Sequence, residues 1–118
     1  MKKLMIVLAI AFLGVFAGGT APAHAQDMCS HEPTVQALRD CVQHAVMEGH
    51  IDDATIAQSL LAKLDAAQAA LDRGQPAVAV QILQAFIYEV QAQSGVHIDP
   101  QHAAHMIMHA EAVIAALR

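Results

Sequence analysis

Residues 50–76 read HIDDATIAQSLLAKLDAAQAALDRGQP, and this stretch decides the fold. Within it Ile56, Leu60, Leu64, Ala67 and Leu71 recur at intervals of three and four, the spacing of one face of an α-helix. Asp52-Asp53 stand ahead of the run as a capping pair, because a carboxylate there accepts amide protons that the first turn leaves unpaired. Gly74 ends the run, as glycine does at a helix C-terminus. Pro76 then opens another helix at its first position, where a missing N–H costs nothing.

The same grammar extends in both directions. Upstream, from Pro33, the positions Val35, Leu38, Val42, Ala45 and Val46 form a helical face closed by Gly49. Downstream, Val80, Leu83, Phe86, Ile87 and Val90 form a third face that stops at Gly95. Asp99-Pro100 is the clearest start signal, an acceptor side chain followed by proline, and a fourth helix carries Ala103, Met106, Ile107, Ala110, Ile114 and Leu117. His50-Ile51-Asp52 and His97-Ile98-Asp99 recur 47 residues apart, so each half is a helix, a glycine, an isoleucine, an aspartate cap and a helix. The isoleucines stand before the caps, where a hydrophobic staple fixes the chain's entry angle. One hairpin cannot cover its own apolar face. The expected fold is all-α, two helical hairpins forming an antiparallel four-helix array over residues 33–118. The alanines of Ala66-Ala67-Gln68-Ala69-Ala70 allow close helix approach and are equally good helix formers.

The N-terminus has a different character. Met1-Lys2-Lys3 precedes an apolar run from Leu4 to Ala17, shorter than the span of about 20 residues that crosses a bilayer. Gly18 to Pro22 breaks that run, and Ala23-His24-Ala25 has the small-x-small pattern of a signal peptidase site. Residues 1–25 therefore read as a cleaved signal peptide and 26–32 as an N-terminal tail. Cys29 lacks the small and aliphatic residues of a lipobox before it, so no stable membrane anchor is expected after cleavage. The expected location is periplasmic or extracellular.

Export changes the charge and gives the cysteines a role. Without Lys2 and Lys3, four basic residues remain against eleven carboxylates, and the net charge moves from −5 to −7. Binding to nucleic acid needs clustered Lys and Arg and is not expected. Only Phe86 and Tyr88 remain as benzenoid rings, so there is no platform for stacking bases. A domain this small gains from a covalent staple, and a Cys29–Cys41 bridge in an oxidising compartment contributes roughly 3 kcal/mol in the chain-entropy model. A pair of metal thiolates and an intermolecular bridge are the competing readings of the two cysteines.

The pattern Ile51-Asp52-x-x-x-Ile56-Ala57-x-Ser59-Leu60-Leu61-x-Lys63-Leu64-x-x-Ala67-x-x-Ala70-Leu71-x-x-Gly74, followed by Leu83-Gln84-Ala85-Phe86-Ile87-x-x-Val90-x-Ala92-x-Ser94-Gly95-x-x-Ile98, resembles the FIMAH-type domain. The resemblance runs from Ile51 to Ile98, and the flanking helices fit it less closely. It implies a helical module of the kind usually attached to secreted bacterial hydrolases and surface proteins, with no catalytic role. The fourth helix departs from the family pattern by carrying histidines where alanine, leucine or generic polar residues are usual.

Those histidines are His102, His105 and His109, interleaved with Met106 and Met108. At about 100° per residue they fall within roughly 60° of one another beside the apolar stripe. His105 and His109 are one turn apart, and His102 or Met106 can add a third ligand, a set for copper, zinc or nickel. Glu111 lies on another face. The plain alternative is a solvated flank with Met106 in the core and Met108 on the surface. His44, His50 and His97 either extend a site or are ordinary turn and surface residues, and a pH-sensing role is a third option because imidazole titrates near pH 6.5.

Catalytic signatures are missing. His31-Glu32 has no second histidine of a zinc-protease motif, and neither a Gly-x-Ser-x-Gly elbow nor a phosphate-binding glycine loop occurs. The expected function is a non-catalytic exported interaction or accessory module with an envelope or extracellular protein as partner. The alternative is a cell-envelope transition-metal-binding protein using His102, His105, Met106 and His109.

Overall fold

In the computed structural model, residues 29–118 are described; the signal-peptide reading of residues 1–25, and residues 26–28 of the tail, lie outside them. The described residues form helices α1 (Val35–Met47), α2 (Ala54–Asp72), α3 (Pro76–Gln93) and α4 (Pro100–Leu117). They contain no β-strand, only isolated bridges.

Local chemistry sets each helix end. Thr34 caps α1 by accepting from the Ala37 N–H at 3.1 Å, and Asp99 caps α4 by accepting from the N–H groups of Gln101 and His102, both at 3.1 Å. Pro76 and Pro100 occupy the opening turns of α3 and α4. The ends of α1 and α2 are the same motif twice. Gly49 (φ 83°) and Gly74 (φ 75°) adopt the left-handed conformation, and the residue after each donates its N–H back to the last turn, His50 to Ala45 and Gln75 to Ala70, both at 2.9 Å. Glycine suits these positions because a Cβ is disfavoured at such φ.

One cap differs from expectation. Asp52, the repeat equivalent of Asp99, does not cap α2. Asp53 does so, accepting from Thr55 N–H at 2.8 Å and Ile56 N–H at 3.1 Å. The extra residue frees the Asp52 carboxylate, which lies 2.9 Å from His97 Nδ1.

The helices pack in a ring, α1 on α2, α2 on α3, α3 on α4 and α4 back on α1. Leu38 and Val42, Leu60 and Leu64, Leu83, Phe86 and Val90, and Val113 are the fully buried side chains each helix contributes to one core. Ala67, Ala70 and Ala79 are also fully buried, so the alanines of α2 act as close-contact residues as well as helix formers. Two polar links brace the outside: Arg39 to Asp65 at 2.6 Å between α1 and α2, and Lys63 to Glu89 at 2.9 Å between α2 and α3, where Ser59 also donates to Glu89 at 2.8 Å. On α4 the buried face is rotated slightly from the expected one. Val113 and His109 are buried, whereas Ile107 and Leu117 are only partly covered.

The hairpins interlock through their loops. Ile51 and Ile98 form an antiparallel bridge in which Asp52 N–H donates to His97 C=O at 3.0 Å and Asp99 N–H donates to His50 C=O at 2.9 Å. The sequence repeat thus pairs with itself. Both isoleucines are buried, and each seals the end of the core beside its partner.

Candidate functional site

The seam between α1 and α4 carries most of the histidine. It encloses a cavity of about 280 Å³ whose lining includes His31, His44, His102, His105 and His109, with Glu48, Met106 and the cystine. All four residues expected to hold a metal, His102, His105, Met106 and His109, line this cavity, because α4 turns one flank towards α1. They do not share one environment.

His109 is buried at 5% exposure. Its Nε2 lies 2.7 Å from the Glu32 carbonyl, which can only accept, so the ring carries its proton there and clamps the tail onto α4. The His31 ring lies 5.5 Å from it, centroid to centroid. The tail is also held covalently, since Cys29 and Cys41 form an intramolecular disulfide. Cys29, Cys41 and His31 bring three potential ligand atoms together, but the bonded sulfurs are not thiolates and cannot bind as such. Met106 is core, at 4% exposure, and Met108 is exposed.

His102 belongs to a different group, at the loop end of the seam. Its ring stacks on His50 with centroids 3.6 Å apart and planes 15° from parallel, while His105 stands edge-on to it at 6.4 Å. His102 Nδ1 lies 3.0 Å from Asp99 Oδ2. That contact, with the backbone N–H groups of His102 and Gln101, holds the Asp99 carboxyl below its ordinary value. On the other side His50 Nε2 lies 3.5 Å from Glu48 Oε1, and His44 Nε2 lies 3.2 Å from Glu48 Oε2. One ligand atom from each of His50, Asp99 and His102 fits within a sphere of mutual distances below 4.8 Å.

Sequence reasoning placed His102 on a helix flank beside the apolar stripe but read Asp99 only as a cap and His31 only as half of an absent protease motif. The signal for Asp99 was its i, i+3 relation to His102. Nothing local could have brought His50 onto His102, since 52 positions separate them in the chain.

A closed four-helix ring built from two glycine-ended hairpins, stapled at its N-terminus by a cystine, defines a small helical module. A family model described as the FIMAH domain matches residues 35–115, and the chain belongs to the FIMAH domain family. The match takes in α1 and most of α4, so it reaches beyond the Ile51–Ile98 core of the resemblance. No curated protein matches the chain, and no solved structure does.

Proposed function

We propose that this protein is a non-catalytic exported interaction module whose working surface is the histidine-lined seam between α1 and α4. The observation that carries the reading is the convergence of five histidines from the tail, α1 and α4 on one cavity. Of the five only His109 is buried, and apolar side chains fill the ring centre. FIMAH domains are small helical domains not known as catalytic, which fits a binding role. The cystine fits an oxidising compartment, and no described helix is long and apolar enough to cross a membrane.

Two measurements test the proposal. N-terminal sequencing of the protein recovered outside the cytoplasm is expected to start at Gln26, and retention of the uncleaved chain inside the cell would remove export. Affinity capture from envelope and culture-fluid fractions is expected to recover a partner that a His44→Ala, His105→Ala variant does not. Failure to recover any reproducible partner counts against the interaction reading.

A second reading, transition-metal binding, is favoured by one observation of its own: the ligand atoms of His50, Asp99 and His102 lie close together.

A further inference from the structure

The two crossings of the interlocked loops are unequal. By the 47-residue repeat, His97 with Asp52 and His50 with Asp99 are equivalent pairs. At the first crossing one imidazole stands between two carboxylates, with Nδ1 2.9 Å from Asp52 and Nε2 3.8 Å from Asp53. That crossing holds a single imidazole and so offers at most one nitrogen ligand.

At the second crossing α4 adds another imidazole, and the balance reverses. His50 and His102 stack, and each has a carboxylate on one nitrogen: Asp99 Oδ2 at 3.0 Å from His102 Nδ1, and Glu48 Oε1 at 3.5 Å from His50 Nε2. At the short Asp99–His102 contact a metal ion can replace the shared proton, since carboxylate and imidazole then both face the ion. One ring nitrogen of His102 and one of His50, on adjacent rings, are then metal donors. Asp99 supplies an oxygen in the same cluster.

We propose that His50, His102 and Asp99 bind one divalent transition ion, zinc or copper(II), across the junction of the two hairpin loops. The proposal rests on the metal-binding reading and replaces the helical stripe as its site. Two imidazole nitrogens and a carboxylate oxygen form a donor set for these borderline ions, with the remaining position open to water or Glu48. The carboxylates of Asp99 and Glu48 together balance a dipositive ion, which offsets the unfavourable N-terminal dipole of α4. In a tetrahedral site with bonds of about 2.0–2.1 Å, ligand atoms lie roughly 3.4 Å apart. The cluster, within 4.8 Å, needs only a small closure. The side chains of His50 and His102 are 32% and 35% exposed, so their rings can turn out of the stack without disturbing the core.

The test is calorimetric titration of zinc and of copper(II) into the disulfide-bonded protein, with imidazole C–H signals followed by NMR during the zinc titration. One ion per chain is expected, with the largest shifts on His50 and His102. His50→Ala and His102→Ala each weaken binding by about tenfold or more, as does Asp99→Asn, which keeps a good capping residue. His105→Ala leaves affinity within about twofold, because that ring lies outside the donor cluster. No saturable binding of either ion would overturn both the site and the metal-binding reading. Saturable binding that survives His50→Ala but is lost in a His105→Ala, His109→Ala variant would overturn this site alone and return the metal to the helical stripe. The wild-type ring signals read the site without any substitution, so the test does not depend on a variant folding.

Discussion

Ile51 and Ile98, at 4% and 1% exposure, bridge the two interhelical loops and are buried at one end of the core. Each is at once a loop residue and a core residue. Ile51→Ala and Ile98→Ala should each lower stability by about 3 kcal/mol in urea denaturation, the cost of emptying a well-packed site. The double variant should lose less than the sum, because the partners share one cavity. A loss below about 1 kcal/mol in both single variants would mean that the interlock does not hold the hairpins together.

The shifted cap of α2 separates two adjacent aspartates that look interchangeable in sequence. Asp53 accepts two backbone N–H groups, whereas Asp52 faces His97 on the surface. Asp53→Ala should therefore cost about 1 kcal/mol. Asp52→Ala should cost less than half as much, since a solvated side-chain contact contributes little. Equal thermal shifts for the two variants would contradict the assigned cap.

The cystine closes a loop with a sequence separation of 12 and fastens the tail across the seam. Cys29→Ser, Cys41→Ser should lose roughly 3 kcal/mol by restoring freedom to the unfolded chain. The same variant should become open to proteolysis ahead of Thr34 while α2 and α3 stay protected. A double variant as stable as the parent would show that the tail is not a structural part of the domain.

His109 provides the second tie on the tail, through the Glu32 carbonyl. His109→Gln keeps an N–H donor, while His109→Leu keeps bulk and removes the donor. We expect the leucine variant to be about 1 kcal/mol less stable than the glutamine variant, the net value of one hydrogen bond. Hydrogen exchange at residues 31–34 should rise in the leucine variant alone, and identical protection in both would separate His109 from the tail.

Much of the bundle was legible because its signals are local. The intervals Leu60 to Leu64 and Leu83 to Phe86, Pro76 and Pro100 at helix starts, and Gly49 and Gly74 at helix ends each act within a turn or two of backbone. Their errors were equally local: one residue in the cap of α2, and a small rotation of the buried face of α4 that covers Val113 in place of Ile107. Helical periodicity defines a stripe to within a residue's angular width. The neighbouring helices decide which edge of the stripe is covered.

The amino-acid sequence by itself determined four helices, their pairing into repeated hairpins and the FIMAH family pattern, because capping, spacing and turn chemistry depend on near neighbours. Only the tertiary structure decided what the histidines do. His102, His105 and His109 share a helix flank, yet one stacks on His50, one stands edge-on beside it, and one is buried against the tail. That division comes from Ile51 meeting Ile98, which brings His50 to the start of α4, and from Cys29 joining Cys41, which lays Glu32 over His109. A side chain's partners across the chain follow from how apolar faces close on one another, and one helix does not carry that information.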